Sequence, residues 1–176
     1  MNKNIFESVQ LAGDIVRGVA NVELENARVI LTPTFVNLSE VIKVTEGSAV
    51  EVAAQNMHQA KSGAYTGEIS AEMLTALGLK TVILGHSERR EYFGETDALL
   101  AEKVNAALEN NLEVIFCFGE VLEDRKSGKH FDVVASQIKN GLFHLAPEKW
   151  RGSEEPWTFA PSSRGHGEPE NAHLPR

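Results

Sequence analysis

One histidine in the sequence stands where an imidazole could act as an acid or a base. His86 follows the short apolar run Thr81–Leu84, which predicts a buried β-strand, with Gly85 between them. Parallel α/β sheets bind their ligands at the carboxyl ends of their strands. A histidine at that end could donate or accept a proton near neutral pH. From its position alone, His86 could also be a structural histidine that closes the strand, and position by itself favours that interpretation.

Several other polar or reactive side chains lie near this histidine or end a comparable run. Ser87 and Glu88 follow it directly, and Arg89 and Arg90 come next. The two arginines form either a solvated polar face or an ion-pair network, and both interpretations stay open. Cys117 is the single cysteine and ends another apolar run. No neighbour in sequence supplies it with a base, so we interpret it as a packed core residue near the site.

Four short apolar runs predict the strands that would position these residues. They lie at residues 27–31, 49–54, 81–84 and 113–117 and are separated by helical patterns. Parallel strands need helical crossovers and are covered on both faces, so this alternation predicts an α/β fold with a parallel sheet. Four strands are too few for a closed barrel, and the pattern alone does not separate an open sheet from part of a barrel.

Helical periodicity marks the segments between the strands. Residues 4–19 and 97–110 carry apolar side chains at spacings of three and four, and so does the segment from Phe131 to Leu142. Ser70 is a predicted N-cap for a helix over 71–77, and Gly78 predicts its end. Each helix should bury one face against the sheet.

Composition excludes several classes of function. The chain has 176 residues, 42% of them hydrophobic, which suffices for one globular domain. Its net charge of -8 argues against a nucleic-acid partner, because a basic surface is needed to neutralise phosphates. No signal-peptide core and no run long enough to span a membrane is present in the sequence. With its one cysteine, the chain is expected in the cytoplasm.

The final 26 residues differ from the rest. Four of the six prolines lie in residues 151–176, where Val and Ile are absent. No helical or strand period is recognisable there, so we predict an irregular, disordered tail. The predicted domain organisation is one folded unit over 1–150 followed by this tail.

Five blocks of sequence resemble the triosephosphate isomerase family. The most recognisable is Gly-His-Ser-Glu-Arg-Arg at 85–90, and the others lie at 32–38, 54–58, 63–70 and 114–120. They keep the family's order and spacing over roughly residues 5–150. The resemblance implies an incomplete (β/α)8 barrel of about four parallel βα units, without the family's first strand and its strands six to eight.

Departures from the family pattern occur at both ends. Members begin with a strand that ends in Asn-x-Lys, and this sequence begins just after that position, so Lys3 is not expected to be the lysine that contacts substrate. The family's sixth strand ends in Glu-Pro-Val-Trp. Here Glu155–Trp157 is one residue short of that motif, and we do not expect an equivalent role for Glu155. A truncation or a shifted reading frame near Trp150 is our hypothesis for the tail.

The family resemblance also implies an activity and its residues. Members interconvert dihydroxyacetone phosphate and glyceraldehyde 3-phosphate, in glycolysis and gluconeogenesis, without a metal or an organic cofactor. His86 would be the catalytic electrophile that polarises the carbonyl, and the helical turn after it would favour a neutral imidazole. Ser87 and Glu88 would lie near the substrate, behind the groups that contact it, with Cys117 close to the site. The chain by itself is expected to have little or no activity.

The resemblance assigns a further role to one loop tip. Thr66, Gly67 and Glu68 lie where family members insert a long loop into the partner subunit of a homodimer. The alternative is a flexible hairpin tip. A different class of function also stays open, namely a non-catalytic half-barrel that assembles with a complementary fragment through its open sheet edges.

Overall fold

The computed structural model describes residues 2–145 and the backbone of residues 157–161. One parallel sheet contains, in chain order, β1 (Val29–Leu31), β2 (Val50–Ala54), β3 (Thr81–Leu84), β4 (Glu113–Phe118) and β5 (Trp157–Pro161). The helices are α1 (Ile5–Val19), α2 (Leu38–Thr45), α3 (Ala71–Ala76), α4 (Ser87–Tyr92), α5 (Asp97–Glu109), α6 (Leu122–Lys126) and α7 (His130–Leu142), with a 3-10 turn at Phe35–Asn37 before α2. The predicted α/β class and parallel sheet are confirmed.

Side-chain caps begin several helices, and those of α1 and α3 illustrate the pattern. Asn4 and Glu7 form a reciprocal capping box at the start of α1, in which each side chain accepts the other residue's backbone N–H, at 3.0 and 2.8 Å. Ser70 accepts the N–H of Met73 at 3.3 Å and begins α3, as predicted from its position in the sequence. Because these caps satisfy N–H groups that a helix leaves unpaired, they set where each helix starts.

The hydrophobic core lies between one face of the sheet and the helices. The strand side chains Val82, Leu84, Val114 and Phe116 are fully buried there. Helices α3, α5 and α7 cover them with apolar side chains that include Leu74, Leu100, Val104, Ala107 and Leu142. The predicted stripes on α5 and α7 are therefore correct in outline.

The predicted stripe on α7 is wrong at its first member. Phe131 is 77% exposed, because α7 begins one residue earlier and its first turn extends beyond the core. At the other end of the helix, Gly141 is buried against the ring of Phe116. A Cβ atom at position 141 would stand 2.6 Å from Cζ of that ring. The helix therefore approaches the sheet at its carboxyl end.

The opposite face of the sheet carries a charged cluster at the amino ends of the strands. The guanidinium of Arg28, just before β1, donates to both carboxylate oxygens of Glu51 in β2, at 2.9 and 2.7 Å, and of Glu113 in β4, at 2.7 and 2.9 Å. The hydroxyl of Thr81 in β3 also donates to Glu113, at 3.2 Å. Side chains stand roughly perpendicular to a sheet. The charged ends of Arg28, before β1, and Glu113, in β4, can therefore meet only if this face of the sheet is concave. The sheet is therefore curved, as in part of a barrel.

Strand β5 differs from the irregular structure predicted for residues 151–176. Its five residues pair in parallel with β4, from Val114 opposite Trp157 to Phe118 opposite Pro161. The prediction relied on the lack of Val and Ile, but Trp157, Thr158 and Phe159 are also residue types that favour strands. The remainder of that segment, including Glu155, lies outside the described residues, and its predicted disorder stays a prediction.

A pair of glycine substitutions tests the packing of α7. We expect Gly141→Ala to destabilise the protein by about 1–3 kcal/mol, because the new methyl group would overlap the fully buried ring of Phe116. Gly18→Ala in α1 is the matched control, since nothing lies within 4 Å of its added Cβ atom. That control should stabilise the helix by about 0.5–1 kcal/mol. Urea unfolding measures both, and equal effects would contradict the packing argument.

The charged cluster predicts a specific acid sensitivity. The Arg28 guanidinium holds the pKa of Glu51 below its ordinary value of 4.5, against the opposing effect of partial burial. The resulting stabilisation is therefore present above that value and lost as the pH falls through the lower folded-state pKa. Urea midpoints should show Glu51→Gln less stable than the parent protein at pH 7, with the difference shrinking toward pH ~3. The comparison is repeated with Arg28→Gln present in both proteins. If Glu51→Gln then still causes a pH-dependent loss of stability of the same size, this assignment is refuted.

Candidate active site

His86 occupies the junction between β3 and α4. It is the N-cap residue of α4, and its Nδ1 accepts the backbone N–H of Glu88 at 3.3 Å. An Nδ1 that accepts a hydrogen bond carries no proton, so the neutral ring has its proton on Nε2. Its side chain is 45% exposed. The structure thus presents an imidazole whose Nε2–H is available as a hydrogen-bond donor at the carboxyl end of a parallel strand.

Gly85 makes this junction possible. Its φ of +81° lies in the left-handed region that side chains rarely adopt. A Cβ atom at this position would also stand 2.7 Å from the backbone oxygen of Cys117, at the same end of the neighbouring strand β4. Both the conformation and the close approach therefore require glycine between β3 and His86.

Arg90 spans the same junction with its side chain. Its Nε donates to the carbonyl oxygen of Gly85 at 2.9 Å, and its Nη2 donates to that of Cys117 at 3.4 Å. Its Nη1 donates to Asp97 at 2.6 Å, and this ion pair is mostly buried. Of the two interpretations left open by the sequence, the ion-pair network is correct for Arg90.

The other residues predicted beside His86 lie around this junction. Ser87 is the first residue of α4 and is half-buried, whereas Glu88 is exposed with its Oε2 3.8 Å from Nδ1 of His86. Cys117 is buried in β4, as predicted. Burial raises the pKa of its thiol, and the nearby charge of Arg90 partly opposes that effect. A buried thiol with a raised pKa is a poor nucleophile, in agreement with the packing role inferred from sequence.

A separate loop carries the predicted dimer-contact residues. The long loop between β2 and α3 is closed at its base by a 2.8 Å hydrogen bond from the N–H of His58 to the oxygen of Ile69. Within it, the rings of His58 and Tyr65 contact each other at an interplanar angle of 38°, with centroids 4.3 Å apart. The tip residues Thr66, Gly67 and Glu68 are all exposed. No described contact brings the tip against His86.

A buried ionic network joins that loop to α4, and it was not predicted from the sequence. Lys103 and Glu95 are only 3% and 5% exposed, and their charged groups lie 2.6 Å apart. Lys103 also donates to Asn56, at the start of the loop, and Arg89 of α4 donates to Glu95. One signal was available, because Lys103 lies directly beside the apolar stripe of α5. Asn56 is 47 positions away from Lys103, and Glu95 precedes α5, so helical spacing identifies neither partner.

Two further properties concern the described part of the chain. Across residues 2–145 and 157–161, no group of three or more His, Cys, Asp or Glu side chains is arranged to hold a metal ion. The helices in these ranges include none that is long and apolar enough to span a bilayer.

Comparisons with known proteins identify the family. A sequence profile described as triosephosphate isomerase matches residues 1–154. The chain belongs to the triosephosphate isomerase family. A triosephosphate isomerase of Flavobacterium johnsoniae is 51% identical over 150 residues, which cover 85% of this chain and 59% of that protein. One of Fusobacterium nucleatum is 46% identical over 147 residues, which cover 84% of this chain and 57% of that protein.

A solved structure supports the same fold. The crystal structure of triosephosphate isomerase from Bartonella henselae superposes with a TM-score of 0.79 and 32% sequence identity. The match covers 92% of this chain and 64% of that one. The expected incomplete (β/α)8 barrel is therefore confirmed. The chain spans less than two thirds of the length of each of these three relatives.

Two glycine variants separate the effect of the positive φ at Gly85 from that of its close approach to Cys117. We expect Gly85→Ala to destabilise the protein strongly, because the methyl group meets the backbone oxygen of Cys117 in addition to the φ penalty. Gly78→Ala is the matched control, with a φ of +85° and nothing within 4 Å of the added atom. The control should cost about 1–2 kcal/mol, the penalty for left-handed backbone alone. Urea unfolding gives both values, and equal losses would show that the close approach contributes nothing.

Proposed function

We propose that this chain supplies the electrophile side of a triosephosphate isomerase site, with His86 as its catalytic residue. The substrates would be dihydroxyacetone phosphate and glyceraldehyde 3-phosphate, and the reaction would serve glycolysis and gluconeogenesis in the cytoplasm. The observation that carries the proposal is the hydrogen bond from the Glu88 N–H to Nδ1 of His86, which leaves the ring's proton on Nε2.

The chemistry requires a proton to leave one carbon and enter its neighbour through an enediolate. A neutral imidazole that donates from Nε2 to the carbonyl oxygen would stabilise the charge that develops there. The same group could carry a proton between the two oxygens of the enediolate, because the ring can donate and later recover its Nε2 proton. Ser87 and Glu88 would lie near the substrate, behind the groups that contact it, and Cys117 would pack behind the site.

The family resemblance assigns the remaining parts of the reaction to motifs that this sequence does not contain intact. A carboxylate must remove the carbon-bound proton, and backbone N–H groups must hold the phosphate. The described carboxylate beside His86 belongs to Glu88, and it lies 3.8 Å from Nδ1, the nitrogen that does not donate in the proposed reaction. A polypeptide of these 176 residues is therefore expected to show little or no turnover by itself, because such groups act interdependently.

The loop tip supports a proposed homodimer. Thr66, Gly67 and Glu68 are exposed, and the loop behind them is closed at its base and contains a contact between the rings of His58 and Tyr65. A loop ordered in this way loses little conformational freedom when it docks. We assign it to contact with a partner subunit.

A second candidate function rests on the edge of the sheet. Among the described strands, β1 pairs on one side only, with β2. An unpaired strand edge is a template for another strand. The chain could thus act as a non-catalytic half-barrel that assembles with a complementary fragment.

A chimera tests the proposed catalytic role. Residues 5–145 would replace their counterparts in the Flavobacterium johnsoniae enzyme, which supplies the rest of the barrel. We expect the chimera to interconvert the two triose phosphates, and His86→Gln to lower kcat by about 10²–10⁴-fold, as for loss of a positioned proton donor. His144→Gln, an exposed histidine paired with Asn105, is the matched control and should retain activity.

The outcomes separate the two candidate functions. An active chimera that His86→Gln leaves unchanged would rule out the proposed role of His86. A chimera that folds and assembles but shows no turnover would favour the assembly function instead. The 176-residue chain, assayed in parallel, should remain at the background rate.

A further inference from the structure

The guanidinium of Arg90 donates a hydrogen bond to the backbone of Gly85, the residue that precedes His86. It reaches the carbonyl oxygen of Gly85 at 2.9 Å, although its own backbone N–H already bonds the carbonyl oxygen of His86 at 3.1 Å. One residue therefore contacts the backbone immediately before the histidine and the carbonyl of the histidine itself. Arg90 thus contacts both peptide groups that flank His86, and its side chain contacts the first of them, whereas the His86 carbonyl also accepts the N–H of Arg89 at 2.9 Å.

Two further acceptors hold the Arg90 side chain in this position. Asp97, the first residue of α5, accepts from Nη1 at 2.6 Å, and Cys117 in β4 accepts from Nη2 at 3.4 Å. The Arg90 and Asp97 side chains are 16% and 22% exposed. The planar guanidinium thus joins three segments, and its geometry is set by all three acceptors.

We infer that Arg90 is a positioning residue for the imidazole of His86. By holding the Gly85 carbonyl, it keeps His86 in the extended conformation, φ -52° and ψ 139°, in which Nδ1 reaches the Glu88 N–H. The bond from Glu88 in turn keeps the ring proton on Nε2. Arg90 therefore acts through His86 and does not itself touch substrate. The inference deepens the proposed function, since a fixed tautomer matters most if the ring acts on a carbonyl.

Lysine is the informative replacement at this position. Arg90→Lys keeps the positive charge, but an ammonium group cannot reproduce the planar fork that serves the three acceptors at once. We expect the variant to keep the fold while the Gly85 peptide loses its fixed orientation. The preference for the Nε2-protonated tautomer of His86 should then fall by roughly twofold to tenfold, the factor that one net hydrogen bond contributes.

The experiment reads the ring directly, without turnover. Nitrogen-15 NMR of the 176-residue chain gives the tautomer populations of each histidine, and the resonances of His86 are identified by their loss in His86→Gln. Arg17→Lys is the control, since Arg17 is an exposed arginine of α1 paired with Asp14. The inference requires the tautomer ratio of His86 to change in Arg90→Lys and to stay constant in the control.

The NMR outcomes test the positioning role of Arg90 independently of the proposed catalytic role of His86. A folded Arg90→Lys protein whose His86 tautomer ratio matches that of the parent would overturn it. If Arg90→Lys does not fold, Asp97→Asn is the variant to test, because it retains Arg90 and weakens its bond to residue 97. A smaller change of the His86 tautomer ratio in the same direction supports the inference, and an unchanged ratio overturns it. Failure of the chimera to respond to His86→Gln would remove the catalytic role and leave this result intact.

Discussion

The contact between Gly85 and the backbone oxygen of Cys117 is the constraint on which the candidate site depends. β3 ends at Leu84, opposite Phe116, whereas β4 continues to Phe118. The chain therefore leaves β3 through a left-handed residue pressed against the backbone of β4. A side chain at position 85 would push the strands apart and redirect the residues that follow. The place and direction of His86 are thus consequences of backbone packing, before any contact of its own ring is considered.

At the carboxyl end of the sheet, several side chains form hydrogen bonds with backbone groups of the loops that follow the strands. Gln55, just after β2, donates to the oxygen of Thr32, just after β1, at 2.8 Å. Gln137 of α7 both donates to the oxygen of Gly119 and accepts from its N–H, each at 2.9 Å, just beyond β4. The strand ladders end here, and their last polar groups need other partners. These bonds supply the partners and fix where each loop departs.

The sequence predicted elements well and pairings poorly, for a physical reason. The helix at Ala71–Ala76 and the strand at Thr81–Leu84 follow from local capping and apolar runs, so their bounds could be predicted within a residue or so. The Lys103–Asn56 bond joins residues 47 positions apart, and no local pattern encodes it. Strand β5 was missed because it is short and lacks the aliphatic residues on which the prediction relied. Of the site, His86 and its neighbours follow from a motif, whereas the contacts of Arg90 join three segments that no motif connects.

The charged cluster at the amino ends of the strands restricts how this sequence can vary. Arg28, Glu51 and Glu113 come from three separate strands or their starts, yet one guanidinium serves both carboxylates. Losing the arginine would leave two like charges facing each other across a concave surface, and losing one carboxylate would leave donors unmatched. Accepted substitutions at these positions should therefore occur jointly, so that covariation among three distant segments would record the curvature of the sheet.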